Sequence, residues 1–483
     1  MVRVNDLVKI VGAGHVRNEP EFLASLAGDR SFTRGFAPDA VVSPGDRDEV
    51  QELVQWARAI QTPLVPMSSG GPHYHGAAVP SVPGAVIVDM QRLNRILRVD
   101  RRNRVALVEA GVTFGDLVPA LAREGLAAYL PVAPRAKKSV VAGMLEREPV
   151  TWPNHHWDAT DPMLCVEVVW GSGDRMRTGE ATSPDPLELQ WEQGKAQLNP
   201  FGLGQMNENR LLSGAQGTIG IVTWSSLKCR FAHSAGQALI VPADDPGSLV
   251  ALSYKVLRRR LGDRHFIVNR PNLAALLDIR GPAARDLPPW ALFFSAEGYG
   301  ILPEKKVAYQ IADMEDLVAG FNLKVVREVG QTGSDEILET VGKPCSGTYW
   351  KERPTGSFQE VFFQTTLDQV PTHLNRFGEI SASRGQPLTE VGVYIQPMVQ
   401  GTSCHCEFNL FYDQTSEEET SGVRYLTDEA CRRLSDGGAF FYRPYGAWKD
   451  FAWGEGDDNI RMQREIKKIF DPAGILNPGR LCH

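Results

Sequence analysis

Apolar positions along this chain fall into two spacings. Val50, Leu53, Val54, Trp56 and Ala57 recur at helical intervals behind Pro44-Gly45-Asp46-Arg47-Asp48-Glu49, a turn followed by acidic residues that suit the positive end of a helix dipole. Short apolar runs at 62–65, 85–90, 96–99 and 104–108 predict strands. The stretch 111–117 turns into a helix capped by Thr113 or a residue next to it. Leu164 to Trp170 is a further strand, closed by the hairpin signal Gly171-Ser172-Gly173-Asp174. A small-residue loop at 213–219 runs into another buried strand ending near Thr223. Beyond about Phe231 helix-like blocks at 248–261 and 304–321 alternate with strands at 290–295, 391–397 and 406–412, which predicts a separate α+β domain. A polar helix at 457–470 precedes the closing segment. The pattern is α+β with short strands rather than a regular βαβ series.

At 483 residues the chain exceeds what one core supports, so two domains are expected, one nested in the other. A net charge of −7, with no basic stripe, argues against nucleic acid. No run approaches the roughly 18 apolar residues of a membrane span, and the first residues lack the layout of a signal peptide. Seven scattered cysteines, an odd number, point to reduced thiols and a cytoplasmic protein.

The most informative stretch is Pro66-Met67-Ser68-Ser69-Gly70-Gly71-Pro72-His73-Tyr74-His75-Gly76-Ala77-Ala78. A Ser/Gly/Ala loop after a buried strand presents backbone N–H groups with no Cβ in the way, as a pyrophosphate cradle requires. Its spacing fits neither a dinucleotide-fold GxGxxG nor a P-loop. A second such loop is Gly214-Ala215-Gln216-Gly217-Thr218-Ile219-Gly220-Ile221. Cys404-His405-Cys406 has the residue types of a metal site, but in a strand the two thiols share one face and His405 points the other way. A core strand, and no metal, is the expectation. His155-His156-Trp157-Asp158 reads as a polar, aromatic loop near the same region.

These segments, taken in order, resemble the FAD-linked oxidoreductases of the vanillyl-alcohol oxidase and p-cresol methylhydroxylase family. The resemblance is carried by 66–78 with 81–90, Glu109-Ala110-Gly111-Val112-Thr113, 165–178, 214–223, and the closing FDPAGILNPGR at 470–480. It implies a PCMH-type FAD-binding domain of two subdomains over 1–235, an α+β cap domain over 236–430 and a C-terminal segment, 431–483, returning to the FAD domain. It also implies FAD held by Pro66, Ser68, Ser69, Gly70, Gly71, His73, His75 and Gly76. Lys138, Ser139, Gly143, Gly217, Thr218, Gly220, Ile221, Asn477 and Arg480 complete that set. Ser68 to Gly71 and Gly76 would direct N–H groups at the pyrophosphate, and Gly217 and Gly220 would admit the flavin where a side chain would clash. FAD is non-covalent by default; relatives that tether it through a loop histidine make His73 or His75 the candidate link, with Tyr394 on the cap strand as the other position.

By the same resemblance, Tyr442 and Arg443 bind a substrate phenolate, a fixed cation and a phenol OH stabilising the developing oxyanion. The implied reaction removes a hydride from a para-alkylphenol, an aryl alcohol or a 2-hydroxy acid, passing electrons to a cytochrome or iron–sulfur subunit. The assembly would be a homodimer or a hetero-oligomer. The chain departs from the family at Pro134-Arg135-Ala136-Lys137-Lys138-Ser139, where glycines are usual and an Asp near the flavin is absent. Those cations could balance a pyrophosphate, bind an acidic substrate or face solvent. The departure also motivates a competing reading, a non-catalytic flavin-binding or degenerate subunit of a larger redox complex.

Overall fold

The computed structural model describes residues 4–153, 162–195, 198–453 and 458–482. The stretch His155-His156-Trp157-Asp158 lies outside them.

Three sheets organise the chain. The first runs in the order Val16–Arg17, Ala40–Val42, Val86–Asp89, Leu64–Met67; its last three strands are parallel. The helix Arg47–Ile60 makes the crossover, so one βαβ unit is present where the short strands had suggested none. Asp46 accepts from the N–H groups of Asp48 and Glu49 and fixes the start of that helix, while Val50, Leu53, Val54 and Ala57 are buried against the sheet.

The second sheet is antiparallel, in the order Ile96–Asp100, Val105–Glu109, Gly220–Lys228, Met163–Trp170, Arg175–Arg177. Trp170 N–H donates to Asp174 O at 2.9 Å, closing the hairpin that Gly-Ser-Gly-Asp predicts. The helix Phe114–Arg123 starts with a reciprocal capping box between Thr113 and Asp116, as the sequence predicts for Thr113.

The third sheet holds six antiparallel strands: Ala235–Ala243, Trp290–Gly298, His265–Asn269, Gly392–Met398, Ser403–Tyr412, Ser357–Thr365. The apolar pattern marks three of these. It does not mark Ala235–Ala243, His265–Asn269 or Ser357–Thr365, whose polar residues interrupt the run. The helices Pro246–Arg258, Pro303–Ala319, Val370–Ala382 and Glu417–Asp436 bury one face of the sheet in the largest core of the molecule. Cys404, Cys406 and Phe408 point into that core, so the two thiols are packing residues, and burial pushes both upward in pKa. Among the described residues no group of three or more His, Cys, Asp or Glu could hold a metal ion, and no helix is long and apolar enough to cross a membrane.

The chain then returns. After the helix Asp458–Phe470, Leu64 N–H donates to Ile475 O and Asn477 N–H to Leu64 O, both at 2.8 Å, so Leu476 pairs alongside the outer strand of the first sheet. Lys467 locks the return: its Nζ reaches Thr218 O at 2.6 Å, Asp471 Oδ2 at 2.8 Å and Leu476 O at 2.9 Å. The Asp471 side chain is fully buried, and removing one member of a buried pair leaves an uncompensated charge, costing about 3–5 kcal/mol. We expect Lys467→Met to lower the thermal unfolding midpoint by several degrees; a midpoint equal to that of the unaltered protein would show that the return is held by other contacts.

Candidate functional site

Two cavities meet where the small-residue loops face the six-stranded sheet. The first encloses about 1090 Å³. Pro66, Ser68 and Ser69 line one side, the helix Val140–Leu145 a second, Gly217, Gly220 and Ile221 a third, and Asn477 with Arg480 complete the wall. Ser139 assembles it: its Oγ caps the helix at Ala142 N–H and donates to Ala110 O, while its own N–H is held by Ser69 Oγ at 3.0 Å. Asn477 Nδ2 donates to Gln216 O at 2.8 Å, and Arg480 to Val79 O at 2.6 Å and to Gly76 O. The returning C-terminus thus clamps both loops. Two polar atoms of that clamp, Asn477 Oδ1 and Arg480 Nε, are buried without a partner. A largely apolar cleft with small residues in its walls and orphaned polar atoms at one end fits FAD, whose ring system and phosphates need both.

Several residues expected at the cofactor sit one layer back. Gly70 N–H donates to Lys137 O at 2.8 Å, and Gly76 N–H to Asp29 Oδ2 at 2.6 Å, so these N–H groups brace the loop rather than pointing at a phosphate. Thr218 Oγ1 donates to Ala215 O at 2.7 Å inside its own turn, and Gly143 faces the Phe114 ring. Ser139 likewise lies behind the lining, and Gly71 is exposed at the surface outside it. Gly217 does line the cavity, at φ +68°, but a Cβ there would meet Pro66 Cγ at 2.5 Å; at Gly220 it would meet Val168 Cγ2 at 2.5 Å. Protein packing therefore demands these two glycines before any cofactor does.

The second cavity, about 970 Å³, shares Ser69, His73, His75, Ala77, Glu146 and Tyr445 with the first. Its walls are aromatic: Tyr74, Tyr349, Trp350, Phe358, Tyr394 and Tyr445. Strand alternation supplies its charged side. In Ser357–Thr365 the odd positions Val361 and Phe363 enter the helix-covered core and Glu360 faces the cavity; in Ser403–Tyr412 the same alternation turns His405, Glu407 and Asn409 away from the core that takes Cys404, Cys406 and Phe408. Lys351 Nζ bridges Glu360 Oε1 and, at 2.6 Å, Glu407 Oε1. Glu360 Oε2 lies 2.7 Å from His75 Nε2, Glu407 Oε2 lies 3.2 Å from His405 Nε2, and Tyr442 Oη lies 3.1 Å from His405 Nδ1. Burial opposes charge on the carboxyls, but Lys351 and the histidines beside them hold Glu360 and Glu407 below the usual range.

Tyr442 and Arg443 stay in contact in this arrangement, the guanidinium 5.2 Å from the centre of the Tyr442 ring. Arg443 lines the second cavity, its guanidinium 4.2 Å from the centre of the Phe362 ring, and among the described residues it makes no ion pair. Its Nε is buried and unpartnered. Tyr442 sits behind it on His405. Lys138 belongs to this cavity too, bound to Glu146 at 2.7 Å and to Glu148, so its charge is spent on carboxylates rather than on phosphate. Lys137 is exposed, and Arg135 lies over the Tyr74 ring, lining the second cavity. Burial and the neighbouring Arg135 lower the pKa of His73. Tyr394 Oη donates to Gln396 Oε1 at 2.7 Å and lines only the second cavity. Glu146, Lys351, Glu360, Glu407 and Tyr445 were not legible as site residues. The one signal was a carboxylate placed between apolar or aromatic neighbours in each of two strands, at Glu360 and Glu407.

Two family models match the chain: the FAD binding domain over residues 38–179 and the C-terminal domain of FAD linked oxidases over 451–481. The flavoprotein subunit of 4-cresol dehydrogenase (hydroxylating) from Pseudomonas putida is 23% identical across 92% of this chain and 88% of its own length. D-2-hydroxyglutarate dehydrogenase from Stutzerimonas stutzeri is 24% identical across 99% of this chain and 98% of its own. A shorter match, 29% identical to 1'-carboxy-chondrochloren decarboxylase from Chondromyces crocatus, takes in 44% of this chain and spans 38% of that protein. The crystal structure of p-cresol methylhydroxylase with substrate bound superimposes with a TM-score of 0.85 at 19% identity, covering 99% of this chain and 96% of the other. With two FAD-specific domains and a cleft that fits the cofactor, the chain is an enzyme, an FAD-linked oxidoreductase with the α+β fold of the p-cresol methylhydroxylase type.

Proposed function

We propose that this enzyme oxidises a para-alkylphenol or an aryl alcohol in the second cavity, with FAD bound non-covalently in the first by Pro66, Ser68, Ser69, Gly217, Ile221, Asn477 and Arg480. The observation that carries the substrate class is the pairing of aromatic rings with Arg443, a buried guanidinium that makes no direct ion pair among the described residues. Lys138 and Lys351, which line the same cavity, are each bound directly by two glutamates. A ring-shaped substrate packs on the aromatic side chains, and its phenolate or alkoxide oxygen meets the Arg443 guanidinium.

FAD, once bound, supplies the acceptor for a hydride and its two electrons. The chain's residues orient the donor carbon, exclude water through the aromatic lining, and stabilise negative charge at the substrate oxygen. The electrons leave to a protein acceptor, a cytochrome or iron–sulfur subunit, a reading supported by the flavoprotein-subunit relative.

An absorption spectrum before and after acid precipitation, followed by anaerobic titration with 4-alkylphenols, aryl alcohols and 2-hydroxy acids, tests the proposal. Flavin bands that stay in the supernatant after acid treatment and bleach with the phenols are expected; bleaching by hydroxy acids alone would overturn the substrate class. Arg443→Ala should cut kcat/KM for a 4-alkylphenol about 10²–10³-fold, as removal of one oxyanion-stabilising donor does, while the protein stays yellow; an unchanged kcat/KM would remove Arg443 from the site. Gly217→Val forces a branched side chain into a φ of +68° and against Pro66. It should purify with little flavin, and a fully yellow variant would mean that the loop does not form the cofactor wall.

A further inference from the structure

His75 occupies a position that cofactor binding alone does not explain. It lines both cavities, and its ring is stacked on Tyr445, centroids 5.0 Å apart and planes 13° from parallel. Nε2 is fixed at 2.7 Å from Glu360 Oε2. An ionised carboxylate only accepts hydrogen bonds, so the proton of the neutral ring sits on Nε2 and the lone pair on Nδ1. Glu360 is in turn secured by Lys351, itself bridged to Glu407. A carboxylate that fixes an imidazole's tautomer and stands ready to balance an imidazolium is the arrangement of a general base. Nothing else at the junction offers that. Glu146 is committed to Lys138, and burial drives the phenol of Tyr445 well above its ordinary pKa.

We propose that His75 is the general base that takes the hydroxyl proton of the substrate, with Glu360 as the residue that positions it. The inference rests on the phenol or aryl-alcohol reading of the second cavity. In the step, the substrate O–H bond breaks and its proton goes to His75 Nδ1, giving an imidazolium paired with Glu360. The donor C–H bond breaks with both its electrons, which leave as hydride to the flavin. The substrate loses two electrons and two hydrogens in all, becoming the quinone methide of an alkylphenol or the carbonyl of an alcohol. Arg443 steadies the oxygen while it is negative. The charged and titratable groups facing His75 are Glu360 and Lys351 from the cap sheet side, Glu146 with Lys138 from the loop and helix beside it, and Tyr445 and Arg443 from the segment before the C-terminal helix.

The test uses the FAD-loaded protein and two variants, His75→Asn and Glu360→Gln. Asn tolerates the φ of +62° at this position better than other replacements. The first readout is the pH profile of flavin reduction by a 4-alkylphenol. Removing a general base typically costs about 10²–10⁴-fold, so His75→Asn should lose at least the lower figure, and its acid limb should move up toward the phenol's own ionisation, because only solvent then takes the proton. Glu360→Gln, which removes the carboxylate that orients the ring and balances an imidazolium, should lower kcat for the phenol with little change in KM. An unchanged rate and limb in His75→Asn would overturn the base.

The second readout needs no turnover. 4-Nitrophenol, whose phenolate absorbs visible light, is bound across a pH series and followed by difference spectroscopy. Proton transfer to His75 predicts that the bound phenolate forms at least about one pH unit lower in the unaltered protein than in His75→Asn, a shift read against the usual scale of charge-partner effects. Identical ionisation in the two proteins would overturn the proposal even if no phenol reduces the flavin. Failure of every phenol and aryl alcohol to bleach the flavin, with the ionisation difference present, would discard the substrate reading and leave the base in place.

Discussion

A single ammonium group, Nζ of Lys351, sets the electrostatics of the second cavity. It is buried between Glu360 and Glu407 on neighbouring strands of the six-stranded sheet. Two carboxylates out of water and close together would repel each other and lose their hydration; the shared cation lets both stay ionised, and it is held charged in return. From that bridge the order spreads to both sides: Glu360 reaches His75 at the cofactor cavity, and Glu407 reaches His405 and through it Tyr442. The rings of the cavity pack around these linked charges, and among the described residues Arg443 makes no direct ion pair with them.

The closure of one set of charges gives the remaining one its meaning. Glu146 and Glu148 consume Lys138 as Glu360 and Glu407 consume Lys351. A buried guanidinium with an orphaned Nε is costly to keep unless a ligand with negative charge completes it. The same reasoning applies in the first cavity to Arg480 Nε and Asn477 Oδ1, which the C-terminal return brings against the loops. In both cavities, then, unfinished hydrogen bonding marks where ligand is expected. The Lys467 lock is the precondition, since it places Asn477 and Arg480 hundreds of residues away from the loops that they clamp.

Two kinds of departure from the sequence reading share one cause, which is that a residue type announces a capability without announcing its partner. Gly70 and Gly76 are glycines in a loop that forms a cofactor wall, yet their N–H groups brace the loop internally. Lys138 could have met a phosphate, but two glutamates in the following ten residues fold back onto it. Tyr442 and Arg443 are adjacent in the chain, and adjacency in an extended segment turns neighbouring side chains in different directions, one to His405 and one into the cavity.

What the sequence determined by itself was local: the capping box at Thr113, the hairpin after Trp170, the helix of Val50 to Ala57, the two small-residue loops and the facing of Cys404 and Cys406 into a core. Each depends on interactions within a few residues, or on the period of a strand or helix, and the order of such segments carried the FAD fold. Only the tertiary structure decided which side chains meet across long separations: His75 with Glu360, Lys351 with Glu407, Arg480 with Gly76. Those pairings are created when three sheets and a returning terminus pack together. Desolvation then makes every buried charge find a counter-charge or wait for a ligand, and neither spacing nor composition encodes which of the two each one does.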